Sequence, residues 1–177
     1  MAKLSPLMLA PPLIFAGLAV MFYMGMQRDD PDALPSVRIG QPAPALELGV
    51  LPGSEPFTHD VLAQPGVKLV NYWASWCAPC RVEHPNLQLL ADEGIPIYGV
   101  NYKDDPEKAL AFLAELGDPY TALGTDLSGR VGIEWGLYGV PETFVIDGSG
   151  TVTYRFAGPI TQRALESRIR PAIEAAK

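Results

Sequence analysis

The chain has 177 residues, of which 48% are hydrophobic and 19% charged, a composition that supports a packed core and excludes bulk disorder. Its length suits one domain of ordinary size with an appendage. The net charge is −7 at pH 7, and an acidic chain without a basic patch is a poor candidate for binding nucleic acid.

The first predicted element is the uncharged, apolar segment from Ser5 to Met26. At a helical rise of ~1.5 Å per residue, it can cross a hydrocarbon core of about 30 Å. A buried core helix and a cleaved signal peptide are the alternatives. The segment is long for either, and it ends in bulky residues rather than an Ala-x-Ala-like cleavage site. We therefore predict that residues 1–26 form an uncleaved membrane anchor, which Pro11 and Pro12 should kink.

The residues that flank this anchor bear on its orientation and on the segment after it. Lys3 lies on one side and Arg28 on the other, so the positive-inside rule gives only a small bias towards a cytoplasmic N-terminus. Residues 27–44 are polar and proline-rich, and we interpret them as a semi-extended tether. Residues 45–177 are then the domain, placed outside the cytoplasmic membrane.

The domain alternates predicted strands and helices. Strands are predicted at residues 67–73, 95–102, 142–146 and 151–156. Helices are predicted at residues 77–93, 106–116, 130–135 and 161–176. Pro85 should bend the first of these helices. Pro171 is expected to split the last, for which Thr161 is the predicted cap. This order predicts an α/β domain with a central mixed sheet, in which helices connect the parallel strands and a β-hairpin forms one edge.

The only two cysteines, Cys77 and Cys80, lie between a predicted apolar strand and a predicted helix. At a helix N-terminus, free N–H groups and the helix dipole favour a thiolate, here that of Cys77. Cys80, one turn later, is close enough to resolve a mixed disulfide. A Cys-x-x-Cys pair in this context predicts a redox-active site.

Three other kinds of site can contain a pair of cysteines. A structural disulfide would close too small a loop to add much stability. A zinc site would need two more ligands, from His59, His84 or acids, and we interpret both histidines as surface or packing residues. Covalent haem attachment needs a histidine after Cys80, where the chain has Arg81. We expect no metal, and no cofactor beyond the redox-active disulfide.

The segment Trp73 to Arg81 resembles the active-site motif of the thioredoxin superfamily, and Tyr138 to Asp147 resembles its cis-proline loop and following strand. With Gly99 to Asp104 and Glu134 to Gly136, the chain resembles the bacterial cytochrome c biogenesis thioredoxins, the CcmG/DsbE group, from about Val37 to the C-terminus.

This resemblance implies a thioredoxin-like fold and a protein-disulfide reductase on the periplasmic side of the inner membrane. Its substrate would be the haem-binding cysteine pair of apocytochrome c, or a mixed disulfide with another cytochrome c maturation protein. Its electrons would come from a membrane thiol transporter of the DsbD/CcdA type. A general periplasmic reductant, an oxidase, and a non-enzymatic module that holds apocytochrome are the alternatives.

The resemblance also implies roles for residues beside the cysteines. Val140-Pro141 should be a cis peptide facing Cys77, so that the Val140 backbone can pair with an extended substrate. Trp76 either contacts that substrate or shields the site.

Acids near the site are implied in the same way. Asn71 stands where thioredoxins have a buried acid, and Asn cannot accept a proton. Glu83 and Glu142 match acids that the family carries near the site, where they could raise the thiol pKa values or relay a proton to Cys80. Their alternative interpretation is as solvated surface acids.

Overall fold

The computed structural model of the chain describes residues 6–26, 36–54 and 56–177. The chain divides into two compact units between Pro35 and Ser36. In the first unit, helix α1 (Pro6–Met26) runs without interruption through Pro11 and Pro12. Its segment Leu9–Met26 has a mean hydropathy of 1.8. By length and composition α1 can therefore cross a bilayer, although a signal sequence meets the same criterion.

Two sequence predictions concern residues outside those that the structure describes. The orientation of the anchor was predicted from Lys3 and Arg28, and half of the predicted tether lies at residues 27–35. The rest of that tether, residues 36–44, lies against the sheet. The Gly40 N–H donates to the Val152 carbonyl at 2.8 Å. The second unit therefore begins at Ser36, before the predicted boundary at residue 45.

The second unit is built on one mixed sheet of five strands in the order β3-β2-β1-β4-β5. The strands are β1 (Lys68–Trp73), β2 (Ile97–Tyr102), β3 (Ala122–Asp126), β4 (Glu142–Ile146) and β5 (Val152–Ala157). β2 is parallel to both β1 and β3, whereas β4 is antiparallel to both β1 and β5. The predicted central mixed sheet with an antiparallel hairpin at one edge is confirmed.

Strand β3 was not predicted, since Ala122-Leu123-Gly124-Thr125-Asp126 has one large apolar side chain and neither alternates nor forms an apolar run. Tertiary contacts define it instead. It pairs with β2 on one side, and Gly49 bridges Thr125 on the other. A Cβ at Gly124 would lie 2.7 Å from Cβ of Leu48, so this approach requires glycine.

Helices cover both faces of the sheet. They are α2 (His59–Leu62), α3 (Ala78–Asp92), α4 (Pro106–Leu116), α5 (Arg130–Trp135), α6 (Gln162–Ala164) and α7 (Arg170–Ala175). α2 was not predicted, because one turn is too short to show a helical period. On one face, Val70 and Tyr72 of β1 pack in a cluster with residues of α2 and α5. On the other face, Leu69 packs with residues of α3 and α7.

The predicted C-terminal helix is present but changes its winding. Thr161 Oγ1 accepts from the Ala164 N–H at 3.2 Å, which confirms the predicted cap. Between α6 and α7 the chain is π-helical from Leu165 to Ile169, and the Arg170 N–H bonds to the Leu165 carbonyl. Pro171 follows at once. Because a proline ring clashes with the carbonyl four residues earlier, the wider turn lets the helix continue where it was predicted to split.

Candidate active site

The two cysteines lie where β1 ends and α3 begins, as predicted. Cys77 and Cys80 form a disulfide and are both buried. Cys77 is the N-cap of α3, and its Sγ accepts from the Cys80 N–H at 3.1 Å. Pro79 lies in the first turn, where its missing N–H costs no hydrogen bond. A reduced Cys77 would therefore lie among the free N–H groups of the helix start, which favour a thiolate.

The loop before Cys77 is fastened to the end of β2 by the Asp104 carboxylate. Asp104 accepts from the Ser75 N–H at 2.6 Å and from the Ser75 hydroxyl at 2.7 Å. It also accepts from the Asn101 side-chain amide at 2.9 Å and from the Asp105 N–H at 2.8 Å. Four hydrogen bonds on one buried carboxylate fix the backbone two residues before the cysteine.

Trp76 is the exposed part of this loop. Its side chain is 59% exposed, while its indole N–H donates to the Lys103 carbonyl at 3.1 Å. Lys103 adopts the left-handed conformation, with φ of 46°. The indole is thus held at the surface immediately before Cys77, where a docking polypeptide can reach it.

The Val140–Pro141 peptide bond is cis, which confirms the prediction. Val140 packs against the buried cluster that contains Cys77 and Cys80. The cis-proline loop and the cysteine motif, more than sixty residues apart in the sequence, therefore meet at one edge of the domain. Tyr138, in the same loop, is 64% exposed.

Glu83 is buried beneath the cysteine motif, on α3 one turn after Cys80. Its Oε1 accepts from the Asn71 side-chain amide at 2.9 Å, and its Oε2 accepts from the Ile160 N–H at 3.0 Å. Burial raises the pKa of Glu83 to about 7, although the two amide hydrogen bonds lower it. The alternative of a solvated surface acid is therefore wrong for Glu83.

Glu142 is also buried, but its partners differ. It forms an ion pair with Arg155 of β5, and its second oxygen accepts from the Tyr138 N–H at 3.2 Å. The Arg155 guanidinium also lies 4.4 Å from the Tyr138 ring centroid. Glu142 thus joins the cis-proline loop to the sheet edge, and a surface location is wrong for this acid as well.

His84, on α3, has a partner elsewhere in the fold. His84 is buried, and its Nε2 lies 2.9 Å from the Gly117 carbonyl, a packing role that matches the sequence interpretation. Burial lowers the pKa of His84, so the ring is neutral at pH 7 and Nε2 is the donor. In the described ranges, no group of three or more His, Cys, Asp or Glu side chains could hold a metal ion.

Sequence reasoning missed several partners of these residues. The Tyr120 hydroxyl donates to Asn71 Oδ1 at 2.9 Å, and Thr143 Oγ1 accepts from the Asn71 amide at 3.0 Å. Arg155 and Asp104 were missed as well. These partners lie 13 to 72 residues along the chain from Glu142, Ser75 or Asn71. The one signal was the Asn at position 71, whose buried polar group requires partners on every side.

Comparisons with known proteins agree with this geometry. The sequence profile of the Redoxin family matches residues 38–172. The chain is 52% identical to a thiol:disulfide interchange protein DsbE homolog of Paracoccus denitrificans, over 99% of this chain and 98% of the relative. It is 51% identical to the thiol:disulfide interchange protein HelX of Rhodobacter capsulatus, over 98% and 97% of the two chains.

More distant relatives have the same kind of name. Identity to the thiol:disulfide interchange protein DsbE of Escherichia coli is 42%, over 94% of this chain and 93% of that protein. Among solved structures, a thiol:disulfide interchange protein of the thioredoxin family from Chlorobium tepidum superposes with a TM-score of 0.60 at 27% identity, covering 82% of this chain and 98% of that one.

Proposed function

We propose a cellular role for a chain that belongs to the Redoxin family and, within it, to the group of thiol:disulfide interchange proteins that includes DsbE and HelX. The chain is a thiol–disulfide oxidoreductase with a thioredoxin-like fold. Its proposed reaction is reduction of the haem-binding cysteine pair of apocytochrome c during cytochrome c maturation. The domain works on the periplasmic side of the cytoplasmic membrane, held there by α1.

The observation that carries this proposal is the Cys77–Cys80 disulfide at the start of α3, with the cis Val140–Pro141 loop packed beside it. The helix start favours a thiolate at Cys77, and the loop offers the Val140 backbone to an extended peptide. An unfolded segment that carries a cysteine pair fits such a site. Trp76, exposed just before Cys77, adds an aromatic contact for that peptide.

The first proposed step is attack of the Cys77 thiolate on the substrate disulfide. A bond forms between Cys77 Sγ and one substrate sulfur, and the other substrate sulfur leaves as a thiolate and takes up a proton. In the second step Cys80 loses its proton and attacks Cys77 Sγ, which releases the second substrate thiolate. The two electrons that reduce the substrate come from the two protein thiols, which become the disulfide.

Glu83 is the proposed acceptor of the Cys80 proton. It lies one turn beyond Cys80 on α3, and with a pKa of about 7 it can both accept and return a proton near neutral pH. Glu142 has a different role in the proposal. Because it pairs with Arg155 and accepts from the Tyr138 N–H, Glu142 fixes the cis-proline loop to the sheet edge.

The proposed partners follow from the direction of the reaction. Each turnover leaves the protein oxidised, so a membrane thiol transporter of the DsbD/CcdA type is needed to reduce Cys77–Cys80 again. The substrate is apocytochrome c or its mixed disulfide with another maturation protein. The apolar composition of α1 and its position near the N-terminus support anchoring of the domain to the inner membrane.

The test is haem attachment to c-type cytochromes in cells that lack the chromosomal gene. We expect the wild-type chain to restore haem-stained cytochromes, and the Cys77→Ser/Cys80→Ser variant to fail. A small-molecule thiol in the medium should also restore them, since it replaces the missing reductant. Rescue by the double variant would favour a module that merely holds apocytochrome. Normal cytochromes in the deletion strain would instead favour a general periplasmic redox role.

A further inference from the structure

The Tyr120 ring lies over β2, in the space left by the missing side chain of Gly99. Gly99 lies on β2 between Asn71 of β1 and Leu123 of β3 in the strand register. A Cβ at Gly99 would lie 2.8 Å from Cγ and Cδ1 of Tyr120, so the ring occupies the space of the missing side chain. Tyr120 comes just before β3, and this route brings its hydroxyl to Asn71 two strands away.

The hydrogen bonds of Asn71 define which way its amide points. Its Oδ1 accepts from the Tyr120 hydroxyl at 2.9 Å, and its Nδ2 donates to Glu83 Oε1 at 2.9 Å and to Thr143 Oγ1 at 3.0 Å. Burial and the nearby charge of Glu83 raise the pKa of Tyr120 well above its ordinary value. The hydroxyl therefore keeps its proton and acts as a donor, and only an oxygen can accept from it.

This orientation decides which form of Glu83 the asparagine favours. With Nδ2 towards the carboxyl group, Asn71 donates a hydrogen bond that stabilises the ionised form of Glu83. A flipped amide would present Oδ1 instead, which can only accept and so favours the protonated form. The Tyr120 hydroxyl makes that flip unfavourable, because two donors would then face each other.

We propose that Tyr120 is a positioning residue for the acid–base chemistry of the site: it holds the Asn71 amide nitrogen against Glu83 and thereby keeps Glu83 able to accept a proton from Cys80. This inference rests on the proposed role of Glu83. In this scheme Tyr120 acts on Glu83 only through Asn71.

Other groups around Glu83 come from several elements. The Ile160 N–H, after β5, donates to its second oxygen, and Cys80 precedes it by one turn on α3 itself. Asp118 lies near Tyr120 and raises the pKa of that hydroxyl further. Removing the Tyr120 hydroxyl leaves the hydrogen bond from the Ile160 N–H to Glu83 in place. A change in the pKa of Glu83 would therefore come from its hydrogen bond with Asn71.

The experiment is a titration of the Glu83 carboxyl carbon by NMR in the oxidised protein, which needs no activity. Tyr120→Phe keeps the ring over Gly99 and its stacking on Trp73, where the centroids are 5.6 Å apart. We expect it to raise the pKa of Glu83 by about one unit. The matched control is Tyr98→Phe, which removes a hydroxyl from β2 in the core cluster on the opposite face and should leave Glu83 unchanged.

A double-variant cycle separates this role from a structural one. Asn71→Ala should raise the pKa of Glu83 as well, and Tyr120→Phe in that background should add nothing, because its effect passes through Asn71. Gly99→Ala, which displaces the Tyr120 ring, should reproduce the shift of Tyr120→Phe. Thermal unfolding of every variant confirms that each is folded.

Two results would overturn the inference. One is an unchanged pKa of Glu83 in folded Tyr120→Phe, and the other is a full additional shift from Tyr120→Phe in the Asn71→Ala background. The proposed role of Glu83 is tested independently by the pH dependence of disulfide exchange in Glu83→Gln. If that profile matches the wild type, Glu83 is not the proton acceptor, whatever Tyr120 does to its pKa.

Discussion

At the scale of single residues, two buried carboxylates beside the same disulfide differ in their partners. Glu83 accepts from two uncharged amides, whereas Glu142 is paired with the Arg155 guanidinium. A buried carboxylate stabilised by amides alone keeps much of its desolvation cost, and its pKa rises. The desolvation cost of Glu142 is offset instead by the opposite charge of Arg155. The two acids therefore have different roles in the proposed reaction.

The raised pKa of Glu83 makes a prediction about stability. Its pKa is about 7 in the folded protein against an ordinary value of 4.5, so the folded state holds this proton more tightly. This contribution to the free energy of unfolding, about 3 kcal/mol, is fully present below about pH 4.5. It is lost as pH rises through about 7. Denaturant unfolding across this range should show the loss in wild type relative to Glu83→Gln. If the free energy of unfolding changes with pH in the same way in both proteins, the raised pKa of Glu83 is contradicted.

The order of the two cysteines makes a second prediction. Cys80→Ser leaves Cys77 to attack but removes the thiol that resolves the intermediate, so it should accumulate a covalent complex with a peptide that carries a cysteine pair. Non-reducing electrophoresis with mass spectrometry of the complex checks this. Cys77→Ser is the matched control and should form none. A complex in Cys77→Ser alone would mean that the roles are reversed.

The sequence was informative about which residues carry the chemistry and less so about what surrounds them. Cys77, Cys80 and Pro141 belong to local motifs, so their placement could be predicted. Glu83 and Glu142 could be named only by resemblance, because burial of an acid depends on contacts made far along the chain. Glu83, for example, bonds to the amide of Ile160, and no local pattern encodes that pairing.

At the scale of elements, the β2–α4 connection supports the cysteine loop. Asp104 accepts four hydrogen bonds, two of them from Ser75, and the Lys103 carbonyl accepts from the Trp76 indole. The loop that presents Cys77 is therefore fixed by an element other than its own helix.

Asp104→Asn tests this support. An asparagine has only one acceptor oxygen, and its NH₂ group would face donors that the Asp104 carboxylate now binds. We therefore expect the free energy of unfolding to fall by about 2 kcal/mol. Urea unfolding of the oxidised protein measures it. The matched control is Glu107→Gln on the exposed surface of α4, which should change stability by less than about 0.5 kcal/mol. Equal stability of the two variants would show that the Asp104 bonds contribute little.

Elements with strong local signals were predicted well. α4 starts at Pro106 behind the Asp105 cap and ends at Leu116 before the Gly117 C-cap, and its bounds match the prediction. β3 was missed because its strand character comes from β2 on one side and Gly49 on the other. The C-terminal helix was expected to split at Pro171, but a π-helical turn accommodates the proline. Tertiary contacts outweighed local propensity for β3, whereas a change of helical winding accommodated Pro171.

At the scale of the whole molecule, the second unit contains the complete sheet, the disulfide and both buried acids. Residues 36–177 expressed alone should therefore fold and reduce a peptide disulfide at the wild-type rate, because they include every residue of the proposed reaction. Stopped-flow exchange kinetics check the rate, with detergent-solubilised full-length protein as the control. A rate more than about tenfold lower would show that the first unit takes part in the reaction.

The central claim is that the protein works as a reductant where other thiols are oxidised. The most direct test is the redox state of Cys77 and Cys80 in living cells, fixed by acid quench and read with a mass-tagged thiol label. We predict a mostly reduced pair in wild-type cells and a mostly oxidised pair in cells that lack the membrane thiol transporter. A pair that is mostly oxidised while the transporter is present would contradict the reductant role and favour an oxidase.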